Sequence, residues 1–298
     1  MKERVEIDAK GATLSGEIFV TEGIKPEHAI VLHPALGVKR RFYTAFAEWL
    51  AEEQQAACLI YDYRLHFKQL SGLKEFERVT LSNWGCLDQS AALDCLAERF
   101  PDSKLHVVGH SIGGTMVPFH QQRNRVNSVR AVCSGLGYWK YTPMPYKLKI
   151  WFFWFVAGPL SVMLTGQLSR KVMGLATDLP ADLFWQWRRW CLSPSFHRID
   201  WGNQLPLPEA PQFNGMLKLL SVADDWMIPP KAVSRLAEFY PNAAHIEHLT
   251  IQPSDIDTTS LGHVKIFAES SKKAWPKIFS KDELDDTPSK QVNLATGP

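Results

Sequence analysis

Several protein classes are excluded by what this chain lacks. Its 298 residues include five cysteines, Cys58, Cys86, Cys95, Cys133 and Cys191, an odd number with no C-x-x-C pair. That scatter argues against a disulfide framework or a zinc ribbon and suits free thiols in a reducing compartment. No His/Cys/carboxylate group has metal-ligand spacing, and no glycine-rich phosphate loop is present. The stretch GHSIGG (109–114) brings a serine two positions after Gly109, where a dinucleotide fingerprint needs glycine. Neither a metal nor an organic cofactor is expected. Charge of one sign is also scarce, with 33 Lys/Arg against 31 Asp/Glu and a net charge of +2. Without a basic run interleaved with aromatics, nucleic acid is not an expected partner. The opening MKERVEIDAKGATLSGEIFV is charged and has no apolar signal-peptide core, so the expected location is cytoplasmic.

Long uncharged runs are limited to one. IWFFWFVAGPLSVMLTG (150–166) is 17 residues without a charge, flanked by Lys147 and Lys149. It reaches the lower edge of spanning length, but Gly158-Pro159 interrupts it, and a span here would put the two halves of the molecule on opposite sides of a bilayer. The segment is read as a buried or pocket-lining helix, with contact at a membrane surface as the alternative. No stable membrane span is expected.

What is present in quantity is apolar residue, 45% of the chain with 11% aromatic, enough for one sizeable core with an insertion. AIVLH (29–33) and ACLIYD (57–62) read as short apolar, largely parallel-type strands, KLHVV (104–108) as a short buried one, and VRAVCS (129–134), MLKLLSVA (216–223) and HIEHLTI (245–251) as further strands. Helical spacing separates them in FYTAFAEWLAEEQQ, in residues 83–100, in MVPFHQQR after Ser111, from Pro230 to Tyr240 and in VKIFAESSKKAW after His263. This alternation predicts an α/β fold, a mostly parallel central sheet with helices on both faces. The rhythm breaks over residues 136–205, which hold seven of the eleven tryptophans. The expected organisation is a core of 1–135 and 206–280, a helical cap inserted at 136–205, and a flexible polar tail at 281–298.

Within VVGHSIGG (107–114), Ser111 lies between Gly109 and Gly113 in a G-x-S-x-G pattern, after a strand and before helical spacing. That context suits a nucleophile elbow, where side chains at the flanking positions would collide with neighbouring backbone. A serine hydroxyl needs a base and a group to orient it, and on such an elbow they follow in the chain order serine, acid, histidine. After MLKLLSVA come Asp224 and Asp225; Asp225, four before Pro229, is the candidate acid, with Asp224 the rival and turn hydrogen bonding its plainer role. His263, on the loop after HIEHLTI, is the candidate base. Two backbone N–H groups must hold the oxyanion. Ile112 supplies one at a helix start; the other comes from HPALG (33–37), where Pro34 has none, so Ala35 is preferred and Leu36 is the fallback. Leu36, His110, Trp151, Trp154 and Trp226 are the candidate pocket residues. Arg188 or Arg189 could reach in to hold a carboxylate or phosphate, solvated surface charge being the plainer reading.

GHSIGG, DDWMIP and GHVKIF, with HPALG upstream, resemble the α/β-hydrolase superfamily from about residue 15 to 280. HPALGVKRRFYTAFAEWLA, LIYDYR, NWGCLDQSAALDCL and WRRWCLSP are similar to a group of bacterial α/β hydrolases without a settled substrate. One departure stands out: relatives often follow Asp-x-Arg with G-x-G-x-S, whereas LHFKQLSG follows Asp62-Tyr63-Arg64 here. The resemblance implies a serine hydrolase acting on a small-molecule acyl substrate, a carboxylic ester first. Amide or peptide cleavage by the same triad and a non-catalytic binding protein on the same fold are the alternatives.

Overall fold

Strand runs that are apolar throughout must be covered on both faces, and the computed structural model, which describes residues 1–65, 78–208 and 212–285, shows how. Strands β1 (Lys2–Asp8), β2 (Thr13–Phe19), β3 (His28–His33), β4 (Ala57–Tyr61), β5 (Lys104–His110) and β6 (Val126–Val132) precede a long excursion. The excursion carries a two-stranded hairpin, β7 (Gln167–Leu168) with β8 (Leu179–Pro180), and then β9 (Met216–Val222) and β10 (His245–Ile251) return to the sheet. The eight-stranded order is β1-β2-β4-β3-β5-β6-β9-β10. Every pair from β4 to β10 along that order is parallel, whereas β1–β2 and β2–β4 are antiparallel.

Alternation along each strand divides the core. In β3, Ala29 and Val31 face one apolar layer while Ile30 and Leu32 face the other; in β4, Leu59 and Tyr61 oppose Cys58 and Ile60. One layer includes Leu81, Trp84, Leu93 and Leu96 from the helical stretch that ends in Gln89–Arg99. The other includes Phe46, Trp49 and Leu50 of the helix Thr44–Glu52, with Phe267 and Trp275 from the C-terminal segment. The buried Arg64–Asp88 ion pair, 2.6 Å apart, ties the end of β4 to the first layer.

Two expected helices take a tighter form. After Ser111 the chain makes 3₁₀ turns over Ser111–Gly114 and Val117–Phe119, since Pro118 lacks an N–H, and two glycines (Gly113, Gly114) and three β-branched residues (Ile112, Thr115, Val117) weaken an α-helix there. After His263 it runs through 3₁₀ turns at Lys265–Phe267 and Glu269–Ala274 before the short helix Trp275–Ile278. The tail begins with the helical turn Asp282–Asp285, and Glu283 pairs with the buried Lys218 at 2.8 Å. The rest of that tail, and most of LHFKQLSG, lie outside the described residues.

Between β6 and β9 the chain leaves the sheet. Helix Tyr146–Phe152, a π turn Phe153–Ala157 and helix Gly158–Thr165 join into one 20-residue rod. Helix Ala181–Leu192 packs beneath it, with Phe184 against Gly158, where a Cβ would come within 2.6 Å of the ring. Asp200 gathers this segment by accepting from Trp190 Nε1 (2.6 Å), Arg189 (2.6 Å) and Gln186 (3.1 Å). It is fastened to the core where Gln186 meets Ser82 and where Ala176 N–H reaches the Gly37 carbonyl. The expectation that the aromatic run is buried holds for one face only: Phe153, Trp154 and Val162 are inside, but Leu148, Trp151, Phe152, Phe155, Leu160, Met163 and Leu164 are exposed.

Candidate active site

Ser111 stands at the carboxyl end of β5 with φ of +55°, a left-handed conformation that a serine holds only when its surroundings enforce it. The glycines around it explain the enforcement. A Cβ on Gly109 would lie 2.4 Å from Gly114 Cα, and one on Gly113 would lie 2.2 Å from the His33 carbonyl oxygen. Only hydrogen fits at either position.

β9 ends at Val222, and the turn after it carries the carboxylates. Asp225 is 2% exposed; its Oδ1 accepts the N–H groups of Met227 (2.9 Å) and Ile228 (3.0 Å), which aims Oδ2 at His263. His263 Nδ1 lies 2.7 Å from Asp225 Oδ2, and His263 Nε2 lies 2.9 Å from Ser111 Oγ. Because a carboxylate only accepts, Nδ1 donates and Nε2 is left to accept the serine proton. Asp224 does other work: its carboxylate accepts from Ser260 Oγ (2.9 Å), Leu261 N–H (3.1 Å) and Gly262 N–H (2.9 Å). It holds the loop that delivers His263, so the adjacent carboxylates divide into one on the ring and one on its loop.

Cys133 places its sulfur among the Asp225 and His263 donor atoms, all within 4.8 Å of one another. Burial first, and the Asp225 carboxylate second, push this thiol well above its usual range. It keeps its proton at neutral pH, and metal ligation would require a thiolate.

The backbone donors differ from expectation. Ala35 N–H is already given to the Tyr43 hydroxyl at 2.9 Å, while among the described residues Leu36 N–H and Ile112 N–H have no acceptor. Ala35 is therefore replaced by Leu36 as the free donor beside Ser111. Ile112 is the second residue of a four-residue 3₁₀ turn, too short for the dipole of a long helix to add much.

Two cavities meet at Ser111 and His263. One, about 70 Å³, is lined by Ile112, Trp139, Ile150, Phe153, Trp154 and Ile228 among others. The second, about 630 Å³, opens past Leu36, Val38, Phe42, Leu175 and Val264, with Lys39 and Arg41 on its wall. Leu36 borders both, and Trp154 borders the smaller. The other three pocket expectations are corrected. His110 is fully buried, bonded to the Tyr43 hydroxyl (2.8 Å) and the His263 carbonyl (2.8 Å), because its strand position points it under the site. Trp151 lies on the outer face of the rod, and Trp226 stacks on Tyr146 with centroids 4.8 Å apart. Arg188 donates to the Trp154 carbonyl and Arg189 pairs with Asp200, so neither reaches the cavities. Tyr43 escaped notice because nothing near it in sequence hints that a hydroxyl within a helical pattern meets His110, 67 residues away.

Residues 30–256 match the model of the alpha/beta hydrolase family. No protein among the curated ones matches the chain in sequence. Solved structures share the fold: an esterase of Pyrococcus furiosus at 15% identity and TM-score 0.56, with 93% of this chain and 88% of that one covered. A hyperthermophilic esterase from the archaeon Pyrobaculum calidifontis is similar at 14% identity and TM-score 0.55, covering 93% and 83%. A serine hydrolase of Xanthomonas campestris described as lacking a lid aligns at 11% identity and TM-score 0.50, over 93% and 92%. With its family match spanning most of the length, its largely parallel eight-stranded sheet and a serine on the tight turn after β5, the chain belongs to the alpha/beta hydrolase family.

Proposed function

We propose that the protein is a serine esterase that cleaves carboxylic esters through an acyl-enzyme. The observation that carries this reading is the hydrogen-bonded line from Ser111 Oγ through His263 to Asp225, at 2.9 and 2.7 Å. In the first half-reaction His263 Nε2 takes the proton of Ser111 as its Oγ bonds to the ester carbonyl carbon. The negative charge that forms on the carbonyl oxygen is received by the Leu36 and Ile112 N–H groups. Collapse expels the alcohol, which takes the proton back from His263. Water, activated by the same imidazole, then releases the acid and restores Ser111. Asp225 stabilises the imidazolium formed in both halves without taking a proton itself.

The cavities allot the two parts of the substrate. A small apolar acyl group suits the smaller, 70 Å³ space under Trp154, and the larger 630 Å³ space has room for the alcohol. The segment 136–205 thereby acts as a cap that sets acyl size. A fluorophosphonate probe tests the nucleophile: wild type should label and Ser111→Ala should neither label nor hydrolyse p-nitrophenyl esters while staying folded. Labelling of the variant at wild-type level would overturn the assignment.

A further inference from the structure

The rod Tyr146–Thr165 has a mean hydropathy of 1.5 over its most apolar stretch, yet only 28% of that stretch is buried. Met163 is 78% exposed, Leu164 74% and Leu148 63%, with Trp151, Phe152, Phe155, Val156 and Leu160 also open to solvent. A soluble helix hides residues of this kind. They occupy one side because the π turn Phe153–Ala157 holds an extra residue and sets the helix back by part of a turn. With that setback, Leu160, Met163 and Leu164 fall in line with Leu148, Phe152 and Phe155, while Phe153, Trp154 and Val162 stay on the cavity side.

Charge along this segment is predominantly positive, Asp178, which accepts the Arg170 N–H, being the first carboxylate after it. Residues 136–177 carry Lys140, Lys147, Lys149, Arg170 and Lys171 and no Asp or Glu, although the whole chain is nearly balanced. Among the described residues none of these five cations pairs with a carboxylate. We infer that the exposed face of Tyr146–Thr165 docks on an anionic phospholipid surface, its apolar side chains entering the headgroup boundary and its basic flanks meeting lipid phosphates. A second copy of the chain fits worse, because a two-fold interface would set the same five cations against themselves. The rod lies on the surface rather than crossing it. Crossing would pull Phe153 and Trp154 out of the cavity wall and break the Ser161 Oγ bonds to Gln167 and Ser169. The inner side of the rod borders the cavity at Ser111, so docking brings a membrane-dissolved substrate to the cap; this last step rests on the proposed esterase function, whereas the docking does not.

The test is flotation of the full chain with vesicles of phosphatidylcholine alone and of phosphatidylcholine mixed with phosphatidylglycerol. Wild type should float with the mixed vesicles, and less so in high salt. Leu148→Glu/Met163→Glu/Leu164→Glu should weaken binding by at least about tenfold. Lys147→Glu/Lys149→Glu should lose the preference for the anionic vesicles. Circular dichroism and turnover of a water-soluble ester should be unchanged in both variants, which separates this result from failure of the catalytic reading. No flotation of wild type with either vesicle would overturn the inference. So would a wild-type dimer that the triple variant converts to monomer.

Discussion

The imidazole of His110 is joined to the backbone of His263, its Nε2 donating to the His263 carbonyl oxygen across 2.8 Å. Since that carbonyl only accepts, Nδ1 of His110 must accept from the Tyr43 hydroxyl, whose oxygen in turn accepts the Ala35 N–H. Burial, and then the neighbouring His263, hold His110 down at about 3, so it stays neutral and the sequence of donors is not disturbed at neutral pH. One hydroxyl and one ring thus connect the loop bearing Ala35 and Leu36 to the loop bearing His263.

Tyr43→Phe is expected to strand the Ala35 N–H and His110 Nδ1 in the interior, at a cost of about 1–3 kcal/mol. If the network positions the site, kcat should fall by roughly tenfold with little change in KM, since the tyrosine does not border either cavity. Urea unfolding and steady-state kinetics measure the two effects separately. A stability loss with unchanged kcat would reduce Tyr43 to a packing role.

The paired carboxylates should separate cleanly. Asp225→Asn should lower kcat by about 10³–10⁴-fold, because the amide favours the wrong imidazole tautomer. Asp224→Asn keeps the ring contact and weakens only the bonds to Ser260, Leu261 and Gly262, so its loss should be far smaller. A dead Asp224→Asn beside an active Asp225→Asn would reverse the roles.

Acyl length should show the size of the smaller cavity. For p-nitrophenyl esters, kcat/KM should climb by up to about fourfold per added CH₂ until the space is full, then drop. Trp154→Phe enlarges that space and should move the optimum to a longer chain. A profile indifferent to length, or an unmoved optimum, would contradict an acyl site under the cap.

Buried histidines make the fold acid-sensitive. Burial is the leading cause that holds His120 and His197 at about 3, as it does His110, and keeps His33 and His106 well below the ordinary 6.5. Below 6.5 the unfolded chain takes up protons that the native state refuses. Their stabilising effect is therefore complete above 6.5 and is lost as pH falls towards 3, each site contributing about 1 kcal/mol per pH unit. Urea midpoints measured from neutral pH downwards should fall from just below 6.5, and His120→Gln should flatten the slope. A midpoint constant down to pH 5 would contradict this.

Local pattern determined much of this protein. Runs such as AIVLH and HIEHLTI are apolar or β-branched enough to be strands wherever they pack, and β10 occupies the same seven residues, 245–251. The glycines beside Ser111 announced a tight turn, and the order of Ser111, Asp225 and His263 along the chain followed from which strand ends carry them. Other features depended on partners remote in sequence. The β1–β2 antiparallel edge had no distinctive spacing and was set by the pairing of one strand with the next. Whether Ala35 or Leu36 keeps a free N–H was decided by the Tyr43 hydroxyl, and whether His110 faces the pocket by the carbonyl of His263, 153 residues away. The aromatic run shows the limit most plainly. Hydropathy marks Trp151 and Trp154 alike, but only the packing of Phe184 and Trp187 against one side of the rod put Trp154 beside Ser111 and left Trp151 in solvent.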